Sequence, residues 1–180
     1  MDKSQKKIVM TDLETSGDIF GVHEILEIGV VVFDQNSFEI IDSYNQKVKP
    51  NNIETAVPRA LEYNGYNEKD WQEAVSLEKA MKEYSGRAEG GIFCAYNATF
   101  DWGFINNAFL KTEIPNPMST FENHDRLDLL SITWAKGLKN EKSWSLQTAC
   151  EFFGVEPEPL PHNALNGAMT AYKLYKKLWE

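Results

Sequence analysis

The stretch KIVMTDLETSG, residues 7–17, opens as an apolar run and turns acidic within six residues. Residues 7–12 read as a buried central strand ending in a polar residue. Asp12 and Glu14 are one residue apart, so on an extended backbone both side chains point to the same face. Two unpaired carboxylates side by side repel and are costly to desolvate, and a divalent cation relieves both. Hard oxygen ligands suit Mg²⁺ or Mn²⁺. A lone D-x-E pair fits equally well with two side chains facing water at the end of a strand.

Working outward from this run, ILEIGVVVFD at 25–34 is rich in β-branched residues and predicts a second strand. DQNS at 34–37 is turn chemistry, and FEIIDSYNQKVKP predicts a third strand in a hairpin or meander. Residues 54–85 carry a helical pattern, broken around Tyr63–Asn67 and closed by Ser85 and Gly86. GGIFCAYN at 90–97 is a glycine-bounded buried strand, followed by a helix over TFDWGFINNAFL. HDRLDLLSITWAKGL predicts a short strand leading into a helix that stops near Gly137. SWSLQTACEFFG has serine caps at its start and Gly154 at its end. A proline-rich connection, EPEPLP, precedes a final helix. Consecutive strands followed by alternating strands and helices predict an α/β fold, a mixed five-stranded sheet flanked by helices, in one domain spanning 1–180.

Composition sets further bounds. A chain that is 42% hydrophobic and 25% charged is a folded one, long enough to bury a core without staples. No apolar run approaches the ~20 residues that cross a bilayer, so no membrane association is expected. The start has no signal-peptide pattern, and Cys94 and Cys150 sit in apolar surroundings as expected of buried thiols. A cytoplasmic location is the expectation. The net charge of −9 argues against gripping long nucleic acid through its backbone, yet leaves room for a site that holds a strand end through metal ions. Lys136, Lys139 and Lys142, and Lys173, Lys176 and Lys177, read as solvated surface.

Two further signals lie downstream. Asp101, in YNATFDWGF, stands at the start of a helix, where a carboxylate is favourable on capping and dipole grounds alone. His162 lies in the loop before the last helix. In chain order, D-L-E-T-S-G, then N-A-T-F-D, then H-N-A-L resemble the DEDDh 3′–5′ exonucleases, whose members include the proofreading epsilon subunit of bacterial DNA polymerase III and ribonuclease T. ILEIGVVVF and SLQTACEFFGV extend the resemblance over nearly the whole chain.

The resemblance implies a ribonuclease H-like fold and two-metal hydrolysis at the 3′ end of single-stranded DNA or RNA. It implies that Asp12 and Glu14 bind the tighter Mg²⁺ or Mn²⁺, with Asp12 shared by the second, and that Asp101 acts near the second. His162 is implied as the general base, a role for which histidine is the commonest side chain. Substrate contacts fall on Thr15, Ser16, Phe20, Asn97 and Phe100, with a core role open for Phe100 and a loop-holding role for Asn97. A DNA polymerase is the implied protein partner.

The family pattern places a fourth carboxylate five residues after the histidine, where this chain has Gly167. Helical spacing groups Asn163, Asn166, Thr170, Lys173 and Lys177 into a polar stripe, and Gly167 with Ala164, Ala168, Ala171, Leu174 and Leu178 on the packed side. Gly167 is thus a vacant metal-ligand position that Asn166 faces away from. Two expectations follow: a weakened metal site with reduced nuclease activity, or a gap filled by water or another side chain. The alternative is a catalytically impaired relative that binds nucleic-acid ends or a polymerase.

Overall fold

Asp12 and Glu14 lie inside a strand, not at its end. In the computed structural model, which describes residues 6–120, 123–159 and 162–179, strand β1 runs Lys7–Thr15. It pairs antiparallel with β2 (Ile25–Asp34), which pairs antiparallel with β3 (Ile40–Lys47). On its other side β1 pairs in parallel with β4 (Ile92–Ala95), and β4 with β5 (Arg126–Asp128). The order β3-β2-β1-β4-β5 is the expected mixed five-stranded sheet. β1 is central, which explains why its residues Ile8, Val9 and Met10 are wholly buried.

Among the described residues, six α-helices cover the sheet. These are α1 (Pro58–Asn64), α2 (Leu77–Ala88), α3 (Ala98–Thr112), α4 (Leu129–Ala135), α5 (Leu146–Phe153) and α6 (Ala164–Trp179). Alternation along β1 divides the core in two. Val9 and Leu13 pack with Tyr84 of α2 and Phe104 and Ile105 of α3. Ile8 and Met10 face the other way, onto Ala168, Ala171 and Leu174 of α6. Asp12 and Glu14 continue that second row. They therefore emerge on the α6 side, just past the end of the apolar packing.

One glycine fixes how closely α6 approaches. Gly29 sits opposite Asp12 across the β1–β2 ladder. A Cβ there would lie 2.0 Å from the backbone carbonyl of Ala164, so only glycine lets the first turn of α6 rest on the sheet. That contact carries Gly167, one turn further on, over Asp12.

The helical pattern expected over 54–85 is overturned in its middle. A short 3₁₀ turn at Ile53–Thr55 and α1 come first, and residues 65–76 are not helical. Gly65 ends α1 in the left-handed conformation, Trp71 is buried with its indole N–H donated to the Leu26 carbonyl, and Val75 bridges to Val48. These distant partners outweigh local helix propensity. Ser76 then caps α2 by accepting from the Lys79 N–H. α2 runs through Ser85 and Gly86 to Ala88 instead of closing at them. Cys94 and Cys150 are buried free thiols. No helix among the described residues is long and apolar enough to cross a membrane.

Candidate active site

The second row of β1 opens into a cleft of about 500 Å³, lined by Asp12, Glu14, Tyr63, Ser145, Gln147, Glu158 and His162. Asp12 and Glu14 come from the sheet, Tyr63 from the end of α1, and His162 from the approach to α6. Asp101 arrives from the opposite layer, in the first turn of α3, and is almost fully buried. Two elements, β1 and α3, thus bring three carboxylates to one end of β1.

The electrostatics show how ill at ease these carboxylates are. Burial pushes the Asp12 pKa well up, and the charges of Asp101, Glu14, Glu158 and Glu27 push it further. Glu14 is raised to about 8 by burial, then by Glu158 and Glu27. Burial also raises Asp101, opposed by backbone hydrogen bonding at its own N–H and at Leu13. Among the described residues none of the three pairs with a lysine, arginine or histidine. Nor are three His, Cys, Asp or Glu side chains among them already gathered as a cage. The donor set is all hard oxygen, with burial that disfavours its charge and no basic side chain paired to it, which fits Mg²⁺ or Mn²⁺.

Gly167 is buried on the inner face of α6, with Ala164, Ala168, Ala171, Leu174 and Leu178. A Cβ built on it would lie 2.4 Å from Asp12 Oδ2. The side chain this position lacks would therefore project straight at the Asp12 carboxylate. Asn166 is only partly exposed, and its N–H donates to the Asn163 side chain. Thr170 departs from the polar stripe: it is 4% exposed, packed inward, so the stripe on α6 is interrupted there.

His162 is held on two sides. Its Nδ1 lies 2.7 Å from Glu158 Oε2, while Glu158 Oε1 accepts from the Asn163 N–H at 3.1 Å. A proton on Nδ1, donated to this carboxylate, leaves the Nε2 lone pair facing away from Glu158. The Tyr63 ring stacks on the imidazole, with centroids 4.3 Å apart and planes at 15°. Pro161, beside the histidine, lies outside the described residues, as does residue 160 at the end of the proline-rich connection.

A neighbouring hollow, reached past Tyr63, is lined by Thr15, Asp18, Arg59 and Phe100. Phe100 is half-buried at its edge, and Phe20 reaches the same cluster through Phe104, with ring centroids 5.1 Å and 6.2 Å away respectively. Asn97 is exposed in the left-handed conformation at the mouth of α3, with φ 65°. It does not hold that helix by its side chain, because Asp128 accepts the Ala98 N–H instead. Ser16 is not brought to the cleft: it is 0% exposed and its hydroxyl accepts from the Glu24 N–H. Thr15 turns its hydroxyl to the Gly17 carbonyl and offers the hollow its surface, not its donor.

Three contributors escaped the sequence reading. Glu158 and Tyr63 are the partners of His162. Glu27, buried opposite Glu14, accepts from the Ala164 N–H at the start of α6 and from Asn45 at 2.9 Å. Its signal was a lone charge within the otherwise apolar ILEIGVVVF. The signal for Glu158 was a carboxylate four residues before the histidine.

Comparison with known proteins accords with this geometry. The sequence model described as Exonuclease, of the RNase T type, matches residues 9–175. The 3′–5′ DNA exonuclease Cap18 of Escherichia coli is 31% identical over 185 residues, spanning 97% of this chain and 92% of its own. The PolC-type DNA polymerase III of Thermotoga petrophila is 30% identical over 172 residues; the match takes in 96% of this chain but only 12% of the polymerase. Among solved structures, Escherichia coli exonuclease I in complex with a dT13 oligonucleotide superposes with a TM-score of 0.81 at 17% identity. That match covers 97% of this chain and 41% of exonuclease I, and shows the ribonuclease H-like exonuclease fold.

Proposed function

The chain belongs to the exonuclease family, of 3′–5′ exonuclease lineage, and from that premise we propose a metal-dependent phosphodiester hydrolase acting on the 3′ ends of single strands, its activity held low by Gly167. The observation that carries this reading is the cleft in which Asp12, Glu14 and His162 converge beside a glycine aimed at Asp12. Asp12, Glu14 and Asp101 would hold Mg²⁺ or Mn²⁺. Such ions, when bound, supply water activation and stabilise charge on the attacking and leaving oxygens.

The remaining work falls to the chain's own side chains. His162 takes a proton from the attacking water at Nε2, because Nδ1 is committed to Glu158. Tyr63 keeps the ring from turning. The hollow beside Tyr63 takes the terminal nucleotide, with Phe100 and Phe20 offering aromatic surface to its base and Thr15 packing beside it. Asn97, exposed with an uncommitted side chain, faces substrate. DNA is favoured over RNA, because the relative matched end to end, Cap18, is named a DNA exonuclease.

The test is Gly167→Asp. A Cβ at this position forces the Asp12 carboxylate aside, so the variant is expected to be less stable without metal. With Mg²⁺ or Mn²⁺ the added carboxylate would help Asp12 hold the ion, and release of 3′ nucleotides from a labelled oligonucleotide is expected to rise by about 10² or more. Gly167→Ala makes the same clash without the ligand and gains nothing. No gain in Gly167→Asp sinks the reading.

A second reading is favoured by Gly167 alone: a non-catalytic module that binds nucleic-acid ends or a DNA polymerase. Tight oligonucleotide binding with no Mn²⁺-dependent shortening, unchanged by His162→Ala, would select it.

A further inference from the structure

Three of the chain's five tryptophans stand exposed along one stripe that begins at the rim of the cleft. Trp144, 48% exposed, immediately precedes Ser145, Leu146 and Gln147, which line the cleft beside Asp12 and His162. The Tyr96 hydroxyl, just past β4, donates to the Trp144 carbonyl at 2.9 Å, so this rim is anchored to the sheet. Trp134, 43% exposed, meets Trp144 edge to face with centroids 6.4 Å apart. Lys139 Nζ lies 5.8 Å over the Trp134 ring. Lys136 Nζ lies 5.5 Å over Trp179, which is 56% exposed at the end of α6. Residues 136–144 hold three lysines against one carboxylate, Glu141, in a chain whose net charge is −9. Positive charge is thus concentrated locally, where the tryptophans are.

Neighbouring exposed aromatics beside a polar rim are the mark of an interaction surface. Aromatic faces alternating with cations are what a single strand needs: bases stack on the rings while lysines neutralise phosphates, without regard to sequence. The other large exposed aromatics do not show this alternation beside the cleft. Resting on the exonuclease reading above, we infer that the strand whose 3′ end occupies the cleft runs out over Trp144, Trp134 and Trp179, flanked by Lys139 and Lys136. The stripe is a length-dependent binding surface: only strands long enough to leave the cleft reach it.

The test measures affinity by fluorescence anisotropy for 5′-labelled oligothymidylates of three and sixteen nucleotides, with Ca²⁺ as the only divalent ion. Trp144→Ala and Trp134→Ala are each expected to weaken the sixteen-mer about tenfold and leave the trimer unchanged. Lys139→Glu weakens the sixteen-mer and flattens its salt dependence. Trp144→Phe keeps a stacking face and restores most of the affinity. Sixteen-mer binding unchanged in all variants overturns the inference and leaves the stripe to a protein partner. Equal losses for both lengths also overturn it, since that pattern reports a distorted cleft. A wild-type chain that binds neither length defeats the exonuclease reading as well, whereas one that binds both equally defeats only the stripe.

Discussion

His162 lines the cleft and Gly167, five residues on, is aimed at the cleft's Asp12, yet their surroundings are opposite. The histidine has a carboxylate on one nitrogen and an aromatic ring against its face. The glycine has an anion 2.4 Å from where its side chain would begin, and supplies nothing to answer it. On the proposed reading, the half of the site that would move a proton is braced, and the half that would hold cations is one ligand short. A site decaying through drift would be expected to loosen in both halves. The braced histidine is what the proposed proton transfer needs, and Gly167 is where the proposed metal site would be weakest.

The sharpest way to break this comparison is to repair one half and then damage the other. In the Gly167→Asp background, His162→Ala is expected to cut 3′ nucleotide release by about 10²–10⁴, the usual span for a general base. Activity that survives the double change would mean that the braced histidine is structural. A smaller effect tests the brace itself. Glu158→Ala frees Nδ1 and lets the ring choose its tautomer, so turnover in the same background should fall about 10–100-fold with little change in KM. Nitrogen chemical shifts of His162 should report Nδ1–H in the parent and a mixture of tautomers in Glu158→Ala. A tautomer unchanged by the substitution would show that Glu158 does not set it.

The elements were legible where local signals agree with distant ones. The serine cap at Ser145 and the glycine stop at Gly154 fell where the residue pattern put them, and β1 began there but ran three residues further than its apolar run, to Thr15. Residues 65–76 did not, because Trp71 and Val75 answer to Leu26 and Val48, partners that no local window contains. The same limit explains the site. Helical periodicity was enough to turn Gly167 inward, since that property belongs to α6 alone. Tyr63 and Glu27 act on residues about a hundred or more positions away, and only the fold brings them there. Ser16 shows the converse: a polar residue in a promising loop whose hydroxyl the structure consumes internally.

The contact that holds α6 over β1 offers a stability test of why the two halves share one cleft. Gly29→Ala places a methyl group against the Ala164 backbone, which has no flexible end to give way. Overpacking of this kind costs about 1–3 kcal/mol, and it should appear as a lower Tm with α6 most exposed to hydrogen exchange. Loss of stability without any change in α6 protection would mean that the helix is held elsewhere.

The gentlest effect comes from the unanswered carboxylates. Glu14 has an ordinary pKa near 4.5 and is raised to about 8 in the folded chain. The folded state therefore binds a proton that the unfolded state releases. The stability this contributes is fully present below about pH 4.5 and is lost as pH rises toward 8, and Asp12 and Asp101 act in the same direction. Metal-free chain should accordingly melt several degrees lower at pH 8.5 than at pH 6, measured by calorimetry at fixed ionic strength. Glu14→Gln, which keeps the shape and removes the charge, should flatten that slope. Mg²⁺ should raise Tm more at pH 8.5 than at pH 6, because cation and proton compete for the same oxygens. A Tm in metal-free buffer that rises across this range would mean that the acidic half of the cleft is already compensated, and the contrast with His162 would disappear.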